Sequence, residues 1–298
     1  MQRFTVDDLA RYSPWPARLL GQSPWETRVK TPQEIDREFG VEKWGSMLER
    51  ALASDGPVGL DEANAWVAEG AEPSLVSVRD DLVEMSAGEA HAAYIEFIAK
   101  SLEPYLPATA LVELGCGYGS VILDLARRPE FTGIPLFAAD VTASGPALAA
   151  MIARAERLDV TTGTCDLARN PVTDLEIPRG ALVFTAYAAQ YIERLDARFT
   201  EGLAALAPKL VVHVEPVWEH CGTDTVLGLL RRRYIEANGY NRNLATLLHE
   251  EVAQGRARLL EETPPAFGPN PLLAASVIAW APAGTQNEHN ALESLEKN

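Results

Sequence analysis

The sequence has no long hydrophobic run and no apolar leader. No apolar stretch approaches the roughly 18 residues that a membrane-spanning helix needs. The chain begins with MQRFTVDDLARYSPWPARLLG, which contains acids and prolines where a signal peptide has a continuous apolar segment. These absences predict a cytoplasmic protein without a membrane partner.

Paired cysteines and an excess of positive charge are also missing. The three cysteines, Cys116, Cys165 and Cys221, are isolated in the sequence, so neither a disulfide framework nor a cysteine zinc site is expected. The 26 basic residues are outnumbered by 42 acidic residues, which gives a formal net charge of -16. Because that charge repels phosphate groups, we expect no nucleic-acid partner, whereas a small or cationic substrate is compatible with it.

The chain has enough apolar material for a core, and its composition changes near residue 105. Hydrophobic residues make up 47% of the 298 residues, which is typical of a globular protein. Four of the six tryptophans precede residue 105, among helix-start signals such as Thr31-Pro32-Gln33-Glu34 and Ser86-Ala87-Gly88-Glu89. We predict a helical N-terminal extension over residues 1–105, a core over 106–284 and a polar tail over 285–298.

The core alternates between strand and helix patterns. Short apolar runs at 110–114, 136–139, 160–164, 181–185 and 210–214 are each followed by helical signals, which is typical of a parallel sheet with helices on both faces. Residues 257–262 and 274–280 predict a C-terminal antiparallel hairpin at the sheet edge. The expected fold class is therefore α/β, with a Rossmann-like, doubly wound, mostly parallel sheet of seven strands.

The strongest local motif is a glycine turn after the first core strand. It reads Glu113-Leu114-Gly115-Cys116-Gly117-Tyr118-Gly119, and glycines there permit a sharp turn and close approach of a ligand to the backbone. Asp140 and Asp166 end the next two strands, so all three features meet at the carboxyl edge of the sheet. A dinucleotide-binding motif would need glycine or alanine at position 120, where this chain has Ser120.

The pattern E-h-G-x-G-x-G, with acids after the second and third strands, resembles the class I S-adenosylmethionine-dependent methyltransferases. The resemblance covers roughly residues 85–282. It implies S-adenosylmethionine as cofactor and S-adenosylhomocysteine as product. It also implies that Asp140 binds the ribose hydroxyls, that Asp166 binds the adenine amino group and that Leu167 backs the adenine ring. The remaining cofactor residues it implies, near the methionine and ribose parts, are Glu113, Gly115, Cys116, Gly117 and Thr185.

Candidates for the methyl acceptor follow the fourth and fifth strands. Tyr187 and Gln190 come after the fourth strand, where they would face the acceptor or pack in the core. On the fifth strand, His213 and Glu215 point to the same face and could act as a pair. The alternatives are a hydrogen-bonded core histidine and a carboxylate that satisfies nearby backbone groups.

These observations predict a methyltransferase acting on nitrogen or oxygen of a small polar metabolite, with an amine or guanidine as the favoured acceptor. The alternatives are a peptide or protein methyltransferase, a non-catalytic S-adenosylmethionine-binding partner protein and a nicotinamide enzyme. No metal is expected, since the spacing of His213, Glu215, His220 and Asp224 matches no compact metal motif. A homodimer through the tryptophan-rich extension is the expected assembly, and the sequence does not identify the acceptor.

Overall fold

The computed structural model describes residues 3–170 and 172–284. The predicted polar tail, 285–298, lies outside the described residues. Within the described ranges, no helix combines the length and the apolar character that crossing a bilayer requires.

The N-terminal part begins with short helices, as its capping signals indicate. Thr31 caps α3, with its hydroxyl accepting from the Glu34 backbone and the Glu34 carboxylate accepting from the Thr31 backbone. The helix then continues through a π-helical stretch, Asp36–Lys43, into α4. The helices of this part are α1 (Leu9–Tyr12), α2 (Trp15–Leu19), α3 (Pro32–Ile35), α4 (Trp44–Leu52), α5 (Leu60–Val67) and α6 (Ala87–Leu102).

The same part contains strands that the sequence analysis did not predict. Strands β2 (Ser74–Val78) and β3 (Asp81–Met85) form an antiparallel hairpin, which is flanked by β1 (Arg3–Phe4) on one side. On the other side lies a later segment, Phe267–Gly268, so the small sheet ties the extension to the core. The turn at Arg79 and Asp80 lacks glycine and asparagine, the usual hairpin signals, although Arg79 adopts a left-handed φ of 56°. The extension is therefore mixed rather than purely helical.

The core is a seven-stranded sheet, as predicted. Its first five strands are parallel, and the last strand of the chain lies antiparallel between two neighbours. The spatial order is β6-β5-β4-β7-β8-β11-β9. The strands are β4 (Leu111–Leu114), β5 (Leu136–Asp140), β6 (Val160–Thr164), β7 (Leu182–Ala186), β8 (Leu210–Glu215), β9 (Ala257–Glu262) and β11 (Ser276–Pro282), while β10 (Phe267–Gly268) belongs to the small sheet.

Helices cover both faces of the large sheet and create two apolar layers. Ile98 and Leu148 pack on one face, whereas Phe199, Leu248 and Trp280 pack on the other. Each such buried side chain contributes about 1.5–3 kcal/mol through removal from water. The helices of the core are α7 (Ser120–Ala126), α8 (Ser144–Glu156), α9 (Ala197–Ala205), α10 (Val226–Ala237) and α11 (Leu244–Ala253). The carboxyl ends of the parallel strands consequently meet at one uncovered edge.

Candidate cofactor and acceptor cavity

The glycine turn after β4 has a backbone that other residues could adopt only with strain. Gly115 has a φ of +87° and Gly117 a φ of +52°, both in the left-handed region. A Cβ on Gly115 would lie 2.2 Å from the Cβ of Ala188, and one on Gly117 would lie 3.1 Å from the Trp44 indole. The turn is therefore pressed between the loop that follows β7 and the start of α4.

Glu113 lies on β4 just before this turn and is 2% exposed. Its carboxylate accepts a hydrogen bond from the backbone N–H of Ile122 at 3.1 Å, which links the strand to the first turn of α7. Burial raises the pKa of Glu113 well above its usual value, and the charge of nearby Asp140 raises it further. A cation beside Glu113 would oppose this rise, because it would stabilise the ionised form of the carboxyl group.

Asp140 ends β5 and joins two loops at the edge of the sheet. Its Oδ2 accepts from the backbone N–H of Gly117 at 2.9 Å, and its Oδ1 accepts from the backbone N–H and the hydroxyl of Thr142 at 2.9 and 2.7 Å. These three hydrogen bonds fix the orientation of the carboxylate. The Asp140 carboxylate therefore lies directly beside the glycine turn, and both line the same cavity.

Asp166 and Leu167 follow β6 on the same edge. Asp166 is held by the backbone N–H of Ala168 at 3.0 Å and by the guanidinium of Arg169 at 2.8 Å, and its side chain is 38% exposed. Leu167 is 8% exposed and offers an apolar surface beside it. The pair combines a hydrogen-bond acceptor with a flat apolar wall.

One cavity of about 780 Å³ collects these features. Most of the sequence-predicted site residues line it, and three do not. The residues in its wall are Glu113, Gly115, Cys116, Gly117, Asp140, Asp166, Leu167, Tyr187 and Gln190. The residues outside it are Thr185, His213 and Glu215. The structure thus brings the predicted cofactor residues together, with the exception of Thr185, and it separates the predicted catalytic residues into two groups.

His213 and Thr185 form a buried pair inside the sheet, which corrects their predicted roles. Both side chains are fully buried, and the indole N–H of Trp280 donates to His213 Nε2 at 3.0 Å. Since Nε2 is the acceptor, the proton of the neutral ring is on Nδ1, which lies 2.9 Å from the Thr185 hydroxyl. Burial lowers the pKa of His213 to about 3. His213 is therefore a neutral structural histidine that does not reach the acceptor, and Thr185 does not reach the cofactor region.

Glu215 also lies outside the cavity in which its predicted role would place it. It is 1% exposed and accepts backbone hydrogen bonds from Ala188, Ala189 and Gln190 at 2.9, 3.0 and 3.3 Å. Burial raises its pKa to about 7, although these N–H groups oppose the rise. Glu215 therefore holds the loop after β7 through its backbone N–H groups. This loop carries Tyr187 and Gln190, the two acceptor candidates that line the cavity.

Tyr187 and Gln190 are held by that loop in different ways. Tyr187 has a left-handed φ of 54°, a strained conformation for a side chain of this size, and its hydroxyl donates to the Leu273 carbonyl at 2.8 Å. Gln190 is 4% exposed, and its Nε2 donates to the Tyr187 carbonyl at 3.1 Å. Its Oε1 is buried and has no partner among the described residues.

No three metal-ligating side chains converge anywhere in residues 3–170 and 172–284. His220, one of the residues considered for a metal, is used elsewhere: Nδ1 lies 2.9 Å from the Ser276 hydroxyl and Nε2 lies 2.7 Å from Glu262.

Sequence reasoning missed the residues that cover the cavity from the N-terminal part. Phe39 lies in the π-helical stretch, Trp44 packs against Tyr118 with tilted rings whose centroids are 5.0 Å apart, and Tyr94 projects from α6. Tyr94 followed the helical spacing of a core face, and Phe39 and Trp44 belong to no motif. Only tertiary packing shows that these rings close the cavity.

No protein-family model matches the sequence, and no curated protein shows significant similarity to it. The chain is similar in structure to geranyl diphosphate C-methyltransferase from Streptomyces coelicolor A3(2), at 14% identity over 85% of this chain and 99% of that one, with a TM-score of 0.47. It is similar to PigF with SAH at 16% identity over 89% of this chain and 69% of that one, with a TM-score of 0.42. It is also similar to the small RNA methyltransferase HEN1, at 15% identity over 64% of this chain and 25% of that one, with a TM-score of 0.48.

Likeness at such low identity concerns architecture. This chain's own sheet has β4 at the centre of the parallel strands, the glycine turn directly after it, and β11 antiparallel between β8 and β9. With these features, the chain has a Rossmann-like, doubly wound α/β fold.

Proposed function

We propose that the protein is an S-adenosylmethionine-dependent methyltransferase acting on a small molecule. The observation that carries this proposal is the convergence of the glycine turn, Asp140 and the Asp166–Leu167 pair in one cavity. In this arrangement Asp140 would hold the ribose hydroxyls, Asp166 the adenine amino group and Leu167 the face of the adenine ring. The bound cofactor would supply an electrophilic methyl group.

The cavity suits a cationic cofactor better than a dinucleotide. Three carboxyl groups line this end, those of Glu113, Asp140 and Asp166, and they favour the positive charges of S-adenosylmethionine. A pyrophosphate would need free backbone N–H groups in the turn. Here the N–H groups of Gly115 and Cys116 donate to Ala139 O. Gly117 donates to Asp140, and Gly119 donates to Cys116 O.

The protein's own contribution is to position the acceptor and to exclude water. Ligand cavities of about 300–1,000 Å³ hold small molecules, and one of about 780 Å³ has room for a cofactor with a small acceptor beside it. Trp44 and Phe39 cover the opening from the N-terminal part. These rings and the net charge of -16 favour a small molecule over a peptide or a nucleic acid as acceptor.

Titration calorimetry tests the proposal with S-adenosylhomocysteine as ligand and a nicotinamide dinucleotide as the negative control. Only the former should bind. Asp140→Asn should weaken it about tenfold, because loss of a charged acceptor costs about 1.5–3 kcal/mol and the amide oxygen still accepts one hydrogen bond. Asp159→Asn is the matched control, since it removes the same charge from an exposed residue outside the cavity. Equal affinity of Asp140→Asn and Asp159→Asn would remove Asp140 from the site, and binding of the dinucleotide alone would refute the proposal.

A further inference from the structure

The far end of the cavity is apolar and aromatic. Beyond the glycine turn and the two strand-end acids, its wall is formed by Ile35, Phe39, Tyr94, Tyr191, Ile192 and Leu273. Phe39 and Tyr191 pack edge to face with centroids 5.2 Å apart, and Tyr94 and Tyr187 do so at 5.7 Å. Such walls recognise a flat or branched apolar body rather than a fully polar metabolite.

The charged groups at this end leave no cation free for an anionic acceptor. Lys30 forms an ion pair with Glu38 and lies 5.5 Å from the ring centroids of Phe39 and Tyr191. The other charged groups in the wall are acids, Asp36 and Glu193, and both are exposed. A carboxylate or phosphate on the acceptor would therefore meet repulsion without a partner.

Of the two buried carboxyl groups near Tyr94, Glu113 lines the part of the cavity assigned to the cofactor, beside the glycine turn. Glu215 is outside the cavity and is saturated by backbone N–H groups, so it cannot receive an extended cation. This arrangement argues against the small polar amine or guanidine that composition suggests.

Two polar groups of the cavity wall have no hydrogen-bond partner among the described residues. Gln190 Oε1 is buried without a hydrogen bond, and the amide orientation is fixed because Nε2 must face the Tyr187 carbonyl. The Tyr94 hydroxyl makes no hydrogen bond to any described residue, whereas the Tyr187 hydroxyl is used by Leu273 O. An unpaired buried acceptor costs free energy until a donor reaches it, so Gln190 is suited to a ligand that carries an O–H or N–H group.

We infer that the acceptor is a neutral molecule with an apolar or aromatic body and one hydroxyl or amine group, which Gln190 Oε1 and the Tyr94 hydroxyl bind. This inference rests on the proposed function, because the bound molecule is an acceptor only if the protein transfers a methyl group. The binding that it describes is nevertheless measurable without turnover. It assigns to Gln190 and Tyr94 the selection of the acceptor, rather than binding of the cofactor.

Four probes test this inference by fluorescence and calorimetry, on the full chain with and without saturating S-adenosylhomocysteine. They are 2-naphthol, its methyl ether, 2-naphthoate and the guanidine agmatine. Naphthol should bind about 2- to 10-fold more tightly than the ether, the range expected for one hydrogen bond. Naphthoate and agmatine should bind more weakly than both. Tightest binding by naphthoate or agmatine, or binding by none of the four, would overturn the inference.

Two variants locate the effect. Gln190→Leu should reduce the naphthol-to-ether ratio toward one, because Gln190 Oε1 accepts the proton that the ether lacks. Tyr94→Phe should weaken naphthol and its ether alike, because the Tyr94 hydroxyl donates to the oxygen of either probe. Both variants should leave the affinity for S-adenosylhomocysteine unchanged. The controls are Tyr105→Phe, which removes a hydroxyl bonded to Glu261 outside the cavity, and Gln254→Leu, an exposed helix end. A full naphthol preference in Gln190→Leu, or unchanged affinity for both probes in Tyr94→Phe, would contradict the inference. If S-adenosylhomocysteine does not bind but naphthol shows the predicted pattern, the proposed function fails and the inferred pocket stands.

Discussion

The two halves of the sheet's carboxyl edge use their polar residues differently. In the half formed by β4, β5 and β6, the acids Asp140 and Asp166 line the cavity. In the half formed by β7 and β8, Thr185, His213 and Glu215 are at most 1% exposed and bond to the protein itself. A polar residue at a strand end is therefore a ligand candidate only if its side chain also lines the cavity.

The local backbone explains the difference. After β4, glycines turn the chain sharply and bring it close to the end of β5, so that Asp140 bridges two loops beside the cavity. After β7, the chain curls so that three successive N–H groups point toward Glu215. The same chemical type, a strand-end carboxylate, thus lines the cavity in one half and anchors a loop in the other.

The largest expected effect concerns the buried half at low pH. The pKa of His213 is lowered from 6.5 to about 3, so the unfolded chain binds a proton that the folded chain refuses. Stability is full above pH 6.5 and falls as the pH is lowered toward 3, by up to about 5 kcal/mol. His213→Gln should flatten this part of the curve in urea unfolding measured at several pH values. Parallel curves for wild type and variant would show that His213 is not a buried neutral group.

The second effect is the loss of the loop anchor. Glu215→Ala leaves three backbone N–H groups without an acceptor, which should lower the free energy of unfolding by about 3 kcal/mol. Glu201→Ala, an exposed glutamate on α9, should stay within about 0.5 kcal/mol of wild type. A stable Glu215→Ala protein that binds S-adenosylhomocysteine but has lost turnover would instead make Glu215 catalytic and break the comparison.

Glu215 also gives a pH dependence of the opposite sign. Its pKa is raised from 4.5 to about 7, so the folded chain keeps a proton that the unfolded chain loses. Its contribution to stability is full below pH 4.5 and falls as the pH rises toward 7. The difference between wild type and Glu215→Gln should show this slope, and its absence would contradict the burial of the carboxyl group.

The third effect concerns the contact between Gly115, in the loop after β4, and Ala188, in the loop after β7. Gly115→Ala would place a Cβ 2.2 Å from Ala188, in addition to the strain of a φ of +87°. Gly133→Ala is the matched control, because Gly133 has a φ of +79° with nothing within 4 Å of the added atom. The clash should cost Gly115→Ala about 2 kcal/mol more than the control in thermal or urea unfolding. Equal losses would mean that the two loops do not touch.

Much of the large sheet follows from the sequence, because its strands are continuous apolar runs bounded by turns. The glycine turn and the acids after β5 and β6 are likewise fixed by local pattern. The hairpin at β2 and β3 was missed because its Arg79-Asp80 turn carries no usual signal. The sequence left the roles of His213 and Glu215 open between an acceptor-facing pair and side chains that the protein satisfies, since Trp280 and the N–H groups of the β7 loop come from distant parts of the chain.

The smallest expected effect distinguishes the two acids of the cofactor half. Asp166 is 38% exposed and already paired with Arg169, so Asp166→Asn should weaken S-adenosylhomocysteine only about threefold, less than Asp140→Asn does. Calorimetry at equal ionic strength compares the two variants directly. A larger loss at Asp166 than at Asp140 would reverse their assigned importance.

A crystal structure of the complex with S-adenosylhomocysteine tests the central claim most directly, namely that one half of the edge binds the cofactor and the other only shapes the site. The account predicts ribose hydroxyls on Asp140, adenine between Asp166 and Leu167, and no ligand atom in contact with His213 or Glu215. A ligand bound to His213 or Glu215, or seated away from the glycine turn, would contradict it.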